Sequence, residues 1–274
     1  MSIASPSLTP VAGGRLRWVL ADSVTLTGRA FQHWMRNPGP VIFSLVFNVL
    51  IVLMFVYLFG GAMQVPGGGE YRDFLMPGMF TMTMLFGIGL TTIAVTSDVD
   101  RGVTDRFRSM PMASSAVLIG RAAADMFFSV LTLAVMVVAG LVIGWEAHGS
   151  TGDTLQAFGL ILLLRFALIW VGIYLGLALQ GEAVTGVQTL EFPLGFLSSA
   201  FVSPDTMPGW LGTVAEWNPL SSTVTAARTL FQNPGVVGDS WVVENAVLMA
   251  VIWPLAIIAV FFPLAVSTYR NLSR

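Results

Sequence analysis

SDVDRGVTDRFRSMPMASSAVLIGRAAAD, residues 97–125, is the stretch on which the fold turns. It holds four of the thirteen basic residues and four of the fifteen acids, in a chain where only 10% of residues are charged. Apolar runs of membrane-spanning length flank it, so it reads as a loop between two spans. Val99, Val103, Phe107 and Met110 recur at i, i+4, i+8 and i+11, one face of a helix. Arg101 and Asp105, and Asp105 and Arg108, have the spacing to pair on another face, beside Arg106. Met110-Pro111 ends the pattern, because proline disfavours helical geometry in the residue before it. A short amphipathic helix with a hard stop between two spans suits a surface that docks another protein. The plainer alternative is a loop helix lying on lipid headgroups.

Outward from this patch, composition sets the class. The 274 residues are 55% hydrophobic with a mean hydropathy of +0.79. This predicts an all-α polytopic membrane protein. There is no Cys, which removes disulfides, thiolate chemistry and Cys-ligated metal. There is no Lys either, which removes the phosphate-binding P-loop and any Schiff-base lysine. His33 and His148 are far apart, so no metal site is expected. Residues 1–13 read as a disordered tail with no apolar core, not a signal peptide.

Residues 14–36 read as an interfacial helix. Leu16, Val19, Leu20, Val24, Phe31 and Trp34 form one stripe; Arg15, Asp22, Arg29 and Arg36, seven apart, form the other. Six spans are expected at about 41–59, 74–96, 122–144, 159–179, 184–202 and 241–266. Between the last two, Met207-Pro208-Gly209-Trp210-Leu211 and 220–232 are expected as short helices that enter the outer interface without crossing. With the termini in the cytoplasm, Arg15, Arg17, Arg29, Arg36, Arg101, Arg106, Arg108, Arg121, Arg270 and Arg274 lie inside, and only Arg72 and Arg228 lie outside. The positive-inside rule selects that orientation.

Ionisable groups within spans are the candidates for function, because each is costly in hydrocarbon. Arg165, six residues past the expected start of the fourth span, either snorkels outward or lines a path for an anionic or polar substrate. Glu191, in the fifth span beside Pro193, is the leading acid. It either lines a polar cavity, is protonated at rest, pairs with Arg165, or packs at a subunit interface. Asn48, Met79 and Met82 are further candidates for a substrate path; for the two methionines the plainer alternative is ordinary packing. His148, Ser150, Thr151 and Asp153 share one loop without a nucleophile motif and read as turn chemistry. No catalytic residue is assigned. A membrane enzyme using Glu191 or His148 remains as a contrasting reading, to be tested by whether the two converge.

Several stretches together resemble the permease subunits of type-2 ABC exporters, in particular the actinobacterial drug-resistance branch. They are DRFRSMPM at 105–112, LIGRAAAD at 118–125, Met76-Pro77-Gly78, and FPLGFLSSAFVSPDTMPGWLGTVAEWNPLSSTVTAARTL at 192–230. The ordered set of FPL, FLSSAF, MPGWL, NPL and AAR is the most specific. The resemblance implies a plasma-membrane, multi-pass subunit with an N-terminal interfacial helix. It also implies a cytoplasmic coupling helix at about 98–110 and re-entrant helices before the last span. It implies a dimer with a second permease, identical or not, and two separate ATPase subunits that hold ATP and Mg2+; this chain holds no cofactor and binds no nucleic acid. Val99, Val103, Phe107 and Met110 become docking residues, with Arg101, Asp105, Arg106 and Arg108 as charge contacts. Arg15, Arg29, Trp34 and Arg36 flank the same ATPase. The implied cargo is an amphipathic drug-like compound or lipid, with a lipid-linked glycan or cell-wall lipid as the alternative.

Overall fold

A computed structural model describes residues 38–61, 65, 68–102, 114–236, 238 and 240–271. The interfacial helix with Arg15, Arg29, Trp34 and Arg36 lies outside the described residues. So do Val103, Asp105, Arg106, Phe107, Arg108 and Met110 of the expected coupling helix. The described residues are helices and connecting turns. We number the helices α1 Gly39–Met54, prolonged by a π turn at Phe55–Phe59; α2 Tyr71–Leu85; α3 Gly87–Asp100; α4 Ser114–Ile143; α5 Thr151–Ala178; α6 Glu182–Phe196; α7 Gly209–Glu216; α8 Pro219–Phe231; α9 Trp241–Glu244; and α10 Ala246–Asn271.

Five segments among the described residues are long and apolar enough to cross a membrane: Val41–Phe59, Tyr71–Asp100, Val117–Ile143, Thr151–Ala178 and Ala246–Asn271. The chain is a multi-pass membrane protein. The segment expected as a fifth span, 184–202, is helical as the fifteen-residue α6 and continues as turns to residue 202. At about 1.5 Å per residue α6 is about 22 Å long, short of the roughly 30 Å hydrocarbon core. Asn218 explains where it stops. Its side-chain amide donates to the carbonyls of Leu194 (3.3 Å) and Leu197 (2.8 Å), while its Oδ1 accepts the Leu220 amide (2.9 Å) as the N-cap of α8. One side chain thus closes α6 and opens α8.

Other boundaries also move. The fourth span begins at Thr151 rather than 159, because Ser150 and Asp153 form a capping box: Ser150 Oγ accepts the Asp153 amide at 3.2 Å, and the Asp153 carboxylate accepts the Ser150 amide at 3.3 Å. The loop residues read as turn chemistry therefore start a helix. The second span runs to Asp100, not 96, and Gly102, at φ +64°, takes the chain out of it. Val99, expected as a docking residue, continues that span and packs on the cluster around Val95, Leu118 and Ile173. The last span extends from 246 to Asn271, past the expected 266, with Pro254 and Pro263 inside.

α5 is the axial helix, packed against α10, α3, α8, α4 and α2. Lipid tails give helices no hydrophobic reason to associate, so close backbone approach has to do it. Gly172 and Gly176, one turn apart on α5, provide this against α3: a Cβ on either would run into Thr91 and Ile88, or Thr92 and Val95. Thr92 Oγ1 donates to the Gly172 carbonyl (3.2 Å), and Thr96 Oγ1 to that of Gly176 (3.0 Å).

Candidate functional site

The second span is interrupted at Phe86, between α2 and α3. A break inside a membrane helix strands carbonyls at the end of one half and amides at the start of the other, and no water is at hand to satisfy them. Two buried charges from elsewhere in the chain do so here. Arg165 Nη1 donates to the Met84 carbonyl (3.4 Å), at the C-terminal end of α2. Glu191 Oε1 accepts the Gly89 amide (2.6 Å), in the first turn of α3. The cation thus faces the negative end of one helix dipole and the anion the positive end of the next.

Both side chains are almost wholly enclosed, Arg165 at 3% and Glu191 at 5% exposure. The rest of the Arg165 fork is occupied: Nε donates to Ser129 Oγ (2.7 Å) on α4 and Nη2 to Thr91 Oγ1 (3.1 Å) on α3. Glycine leaves room beside both groups. A Cβ at Gly87 would strike the Arg165 guanidinium, and one at Gly89 would strike the Gln188 side chain and crowd the Glu191 carboxylate.

This corrects the expected depth of Arg165. Because α5 starts at Thr151, Arg165 lies fourteen residues into the helix, about 21 Å at about 1.5 Å per residue, and does not snorkel outward. The Arg165–Glu191 pair offered as one alternative does not form among the described residues; each charge is spent on its own side of the break. Glu191 and His148 do not converge either. The His148 amide donates to the Phe231 carbonyl, at the end of the molecule where Trp145 packs on Phe80. Gly89, with Glu191, lies nine residues beyond Phe80, about 14 Å along the helix.

From Arg165 a polar chain runs toward the Asp98 end. Ser129 Oγ donates to the Asp125 carbonyl (2.7 Å), and the Asp125 carboxylate lies 3.1 Å from Arg121, which in turn approaches Asp98 at 3.5 Å. Asp125 falls near the start of the expected third span, 122–144, and Arg121 was counted only as a topology charge. The two are four apart, the spacing at which helical side chains meet, and that was the available signal.

The remaining path candidates are packed. Asn48 Nδ2 donates to the Ser44 carbonyl on its own helix (2.9 Å). Met79 and Met82 are core residues, with the Met82 thioether against Gly195.

Arg228 is the functional-looking residue that sequence reading missed. Counted as an outer-loop charge, it is 1% exposed in the last turn of α8. Its guanidinium donates to the carbonyls of Phe74 (3.0 Å), Ser199 (2.8 Å) and Ala200 (3.1 Å) and lies over the Phe74 ring at 3.8 Å. Gly78 lets the turn after α6 come this close, since a Cβ there would collide with the Ala200 backbone.

The described residues thus form a multi-pass bundle whose interrupted second span is closed by two buried charges. The chain belongs to the ABC-2 type transporter family, whose pattern matches residues 23–231. It is similar to the daunorubicin resistance ABC transporter permease protein DrrB1 of Streptomyces coeruleorubidus, 34% identical over 97% of this chain and 95% of that protein. It also resembles the probable doxorubicin resistance ABC transporter permease protein DrrC of Mycobacterium tuberculosis, at 22% identity over 92% of this chain and 93% of the relative. The putative transport permease ycf38 of Porphyra purpurea is 25% identical over 78% of this chain and 75% of its own length.

Proposed function

We propose that this chain is the transmembrane subunit of an ATP-driven exporter that moves an amphipathic drug-like compound or lipid outward across the plasma membrane. The observation that carries this reading is the near end-to-end relationship to DrrB1, a permease named for daunorubicin resistance. The chain has no Lys and hence no P-loop, so ATP and Mg2+ belong to a partner. Two copies of a separate ATPase subunit dock on the loop after α3, through Val103, Phe107 and Met110, with Arg101, Asp105, Arg106 and Arg108 as charge contacts. Arg15, Arg29, Trp34 and Arg36 flank them. A second permease, identical or not, completes the complex. The Arg distribution puts both termini and this loop in the cytoplasm. Asp98–Arg121–Asp125–Ser129–Arg165 then leads from the docking loop to the break in the second span. Cargo passes along α1, the second span and α6, which carry Asn48, Met79, Met82 and Glu191, with Arg165 reaching the break from α5.

The test is co-expression with a candidate ATPase subunit, co-purification, and uptake of daunorubicin into inverted membrane vesicles. ATP-dependent uptake with a stable complex is expected. No ATPase in the purified complex, and no ATP-dependent uptake, would contradict the reading.

A further inference from the structure

α6 is anchored at one end and loosely held along its body. At the anchored end Arg228 holds the Ser199 and Ala200 carbonyls, and Asn218 holds those of Leu194 and Leu197. Along the body only Val184, Glu191 and Gly195 are buried, one narrow line at i, i+7 and i+11. Leu190, Phe192, Leu194 and Phe196 are exposed on the other faces. At the far end the chain enters through Gly181, at φ +59° with open space around its Cα.

What joins this line to the second span is adaptable. The flexible Met82 side chain fills the space over Gly195, and the Phe86 and Phe192 rings meet at 4.8 Å. The second span bonds to α6 at the Glu191 carboxylate, which accepts the Gly89 amide and has the Ile88 amide beside it. The opposite face of α3 differs: two hydroxyl-to-carbonyl bonds and two glycines fix it to α5. The α3 contact with fewer ties between helices is therefore that with α6, and its polar ties converge on Glu191.

We propose that α6 swings on the turn held by Arg228, and that Glu191 is the positioning residue that latches it over the broken second span and releases when the export path opens between them. This rests on the exporter reading above. When the latch opens, the Gly89 amide loses its acceptor. When it closes, the carboxylate again terminates α3.

Amide hydrogen exchange on the unmodified permease–ATPase complex reads the latch directly. The amide of Gly89 is expected to be protected without nucleotide and to exchange at least tenfold faster during ATP turnover, while the Thr92–Thr96 amides stay protected. Equal protection of Gly89 in both states of an actively exporting complex would overturn the latch alone; a complex that exports nothing with ATP would instead count against the exporter reading. A second measurement uses the Cys-free background. In Gly89→Cys/Gln188→Cys the new Gly89 side chain takes the space vacated by Gln188, and its Cβ position lies 3.4 Å from the residue 188 Cα, close enough for a disulfide. Oxidation is expected to cut daunorubicin uptake at least tenfold relative to the same protein after reduction. Equal uptake in the two forms, or failure of the pair to oxidise, would overturn the proposal.

Discussion

The Glu191 carboxylate accepts the backbone amide of Gly89 across 102 positions of sequence, at 2.6 Å. On the other side of the same break Arg165 takes the Met84 carbonyl. A helix that would otherwise carry unpaired backbone groups within the membrane is thereby closed at both cut ends.

Arg165→Lys keeps the charge but loses the planar fork that spans Ser129, Met84 and Thr91. Partners left unbonded in a buried site cost about 1–3 kcal/mol. Unfolding in mild detergent should show a loss of that size, and a variant as stable as the wild type would contradict the arrangement.

Arg228→Ala strands three buried carbonyls, those of Phe74, Ser199 and Ala200, at about 1–3 kcal/mol each against a total stability of roughly 5–15 kcal/mol. Little folded protein should accumulate, as judged by size-exclusion chromatography of detergent extracts. Arg228→Lys should fall between the two.

Thr92→Val and Thr96→Val preserve shape and remove the hydroxyls that reach Gly172 and Gly176. Each should cost about 0.6 kcal/mol, the average for a hydrogen bond between membrane helices. Gly172→Leu should be far worse, because its side chain would be forced into Thr91 and Ile88. Thermal melts of the three variants check the ranking.

Phe107→Asp puts a charge on the apolar face expected to dock the ATPase. Co-purification of the ATPase and ATP-dependent uptake should both fall at least tenfold, with the permease itself folded and in the membrane. Survival of both would remove the docking role from this face.

The apolar runs made most of the helices legible, since a span of about twenty residues needs no partner to be recognised. Their ends were less legible. Ser150 and Asp153 looked like loop residues until their spacing was taken as a capping box, and Asn218, which begins α8 through Leu220 two positions on, ends α6 through partners 21 and 24 positions away. The break at Phe86 left almost no local trace. Gly87 and Gly89 hinted at a close approach, but the groups that approach are residues 165 and 191. Arg228 was misread for the same reason: a charge in a polar stretch looks exposed, and its partners are carbonyls at 74, 199 and 200, which carry no sequence signature. Met79 and Met82 stood between a path and ordinary packing, because methionine suits varied apolar partners in either setting, and both are buried in the core.

The most direct test compares export and stability in Glu191→Gln. The amide keeps the shape and an oxygen that can accept from Gly89, but the charge facing the first turn of α3 is gone. A neutral acceptor is weaker than a charged one by about 1 kcal/mol, so the protein should fold and melt close to the wild type. ATP-dependent uptake of daunorubicin into inverted vesicles should fall about tenfold, far more than the change in folded protein. Normal uptake in a normally folded Glu191→Gln permease would contradict the account.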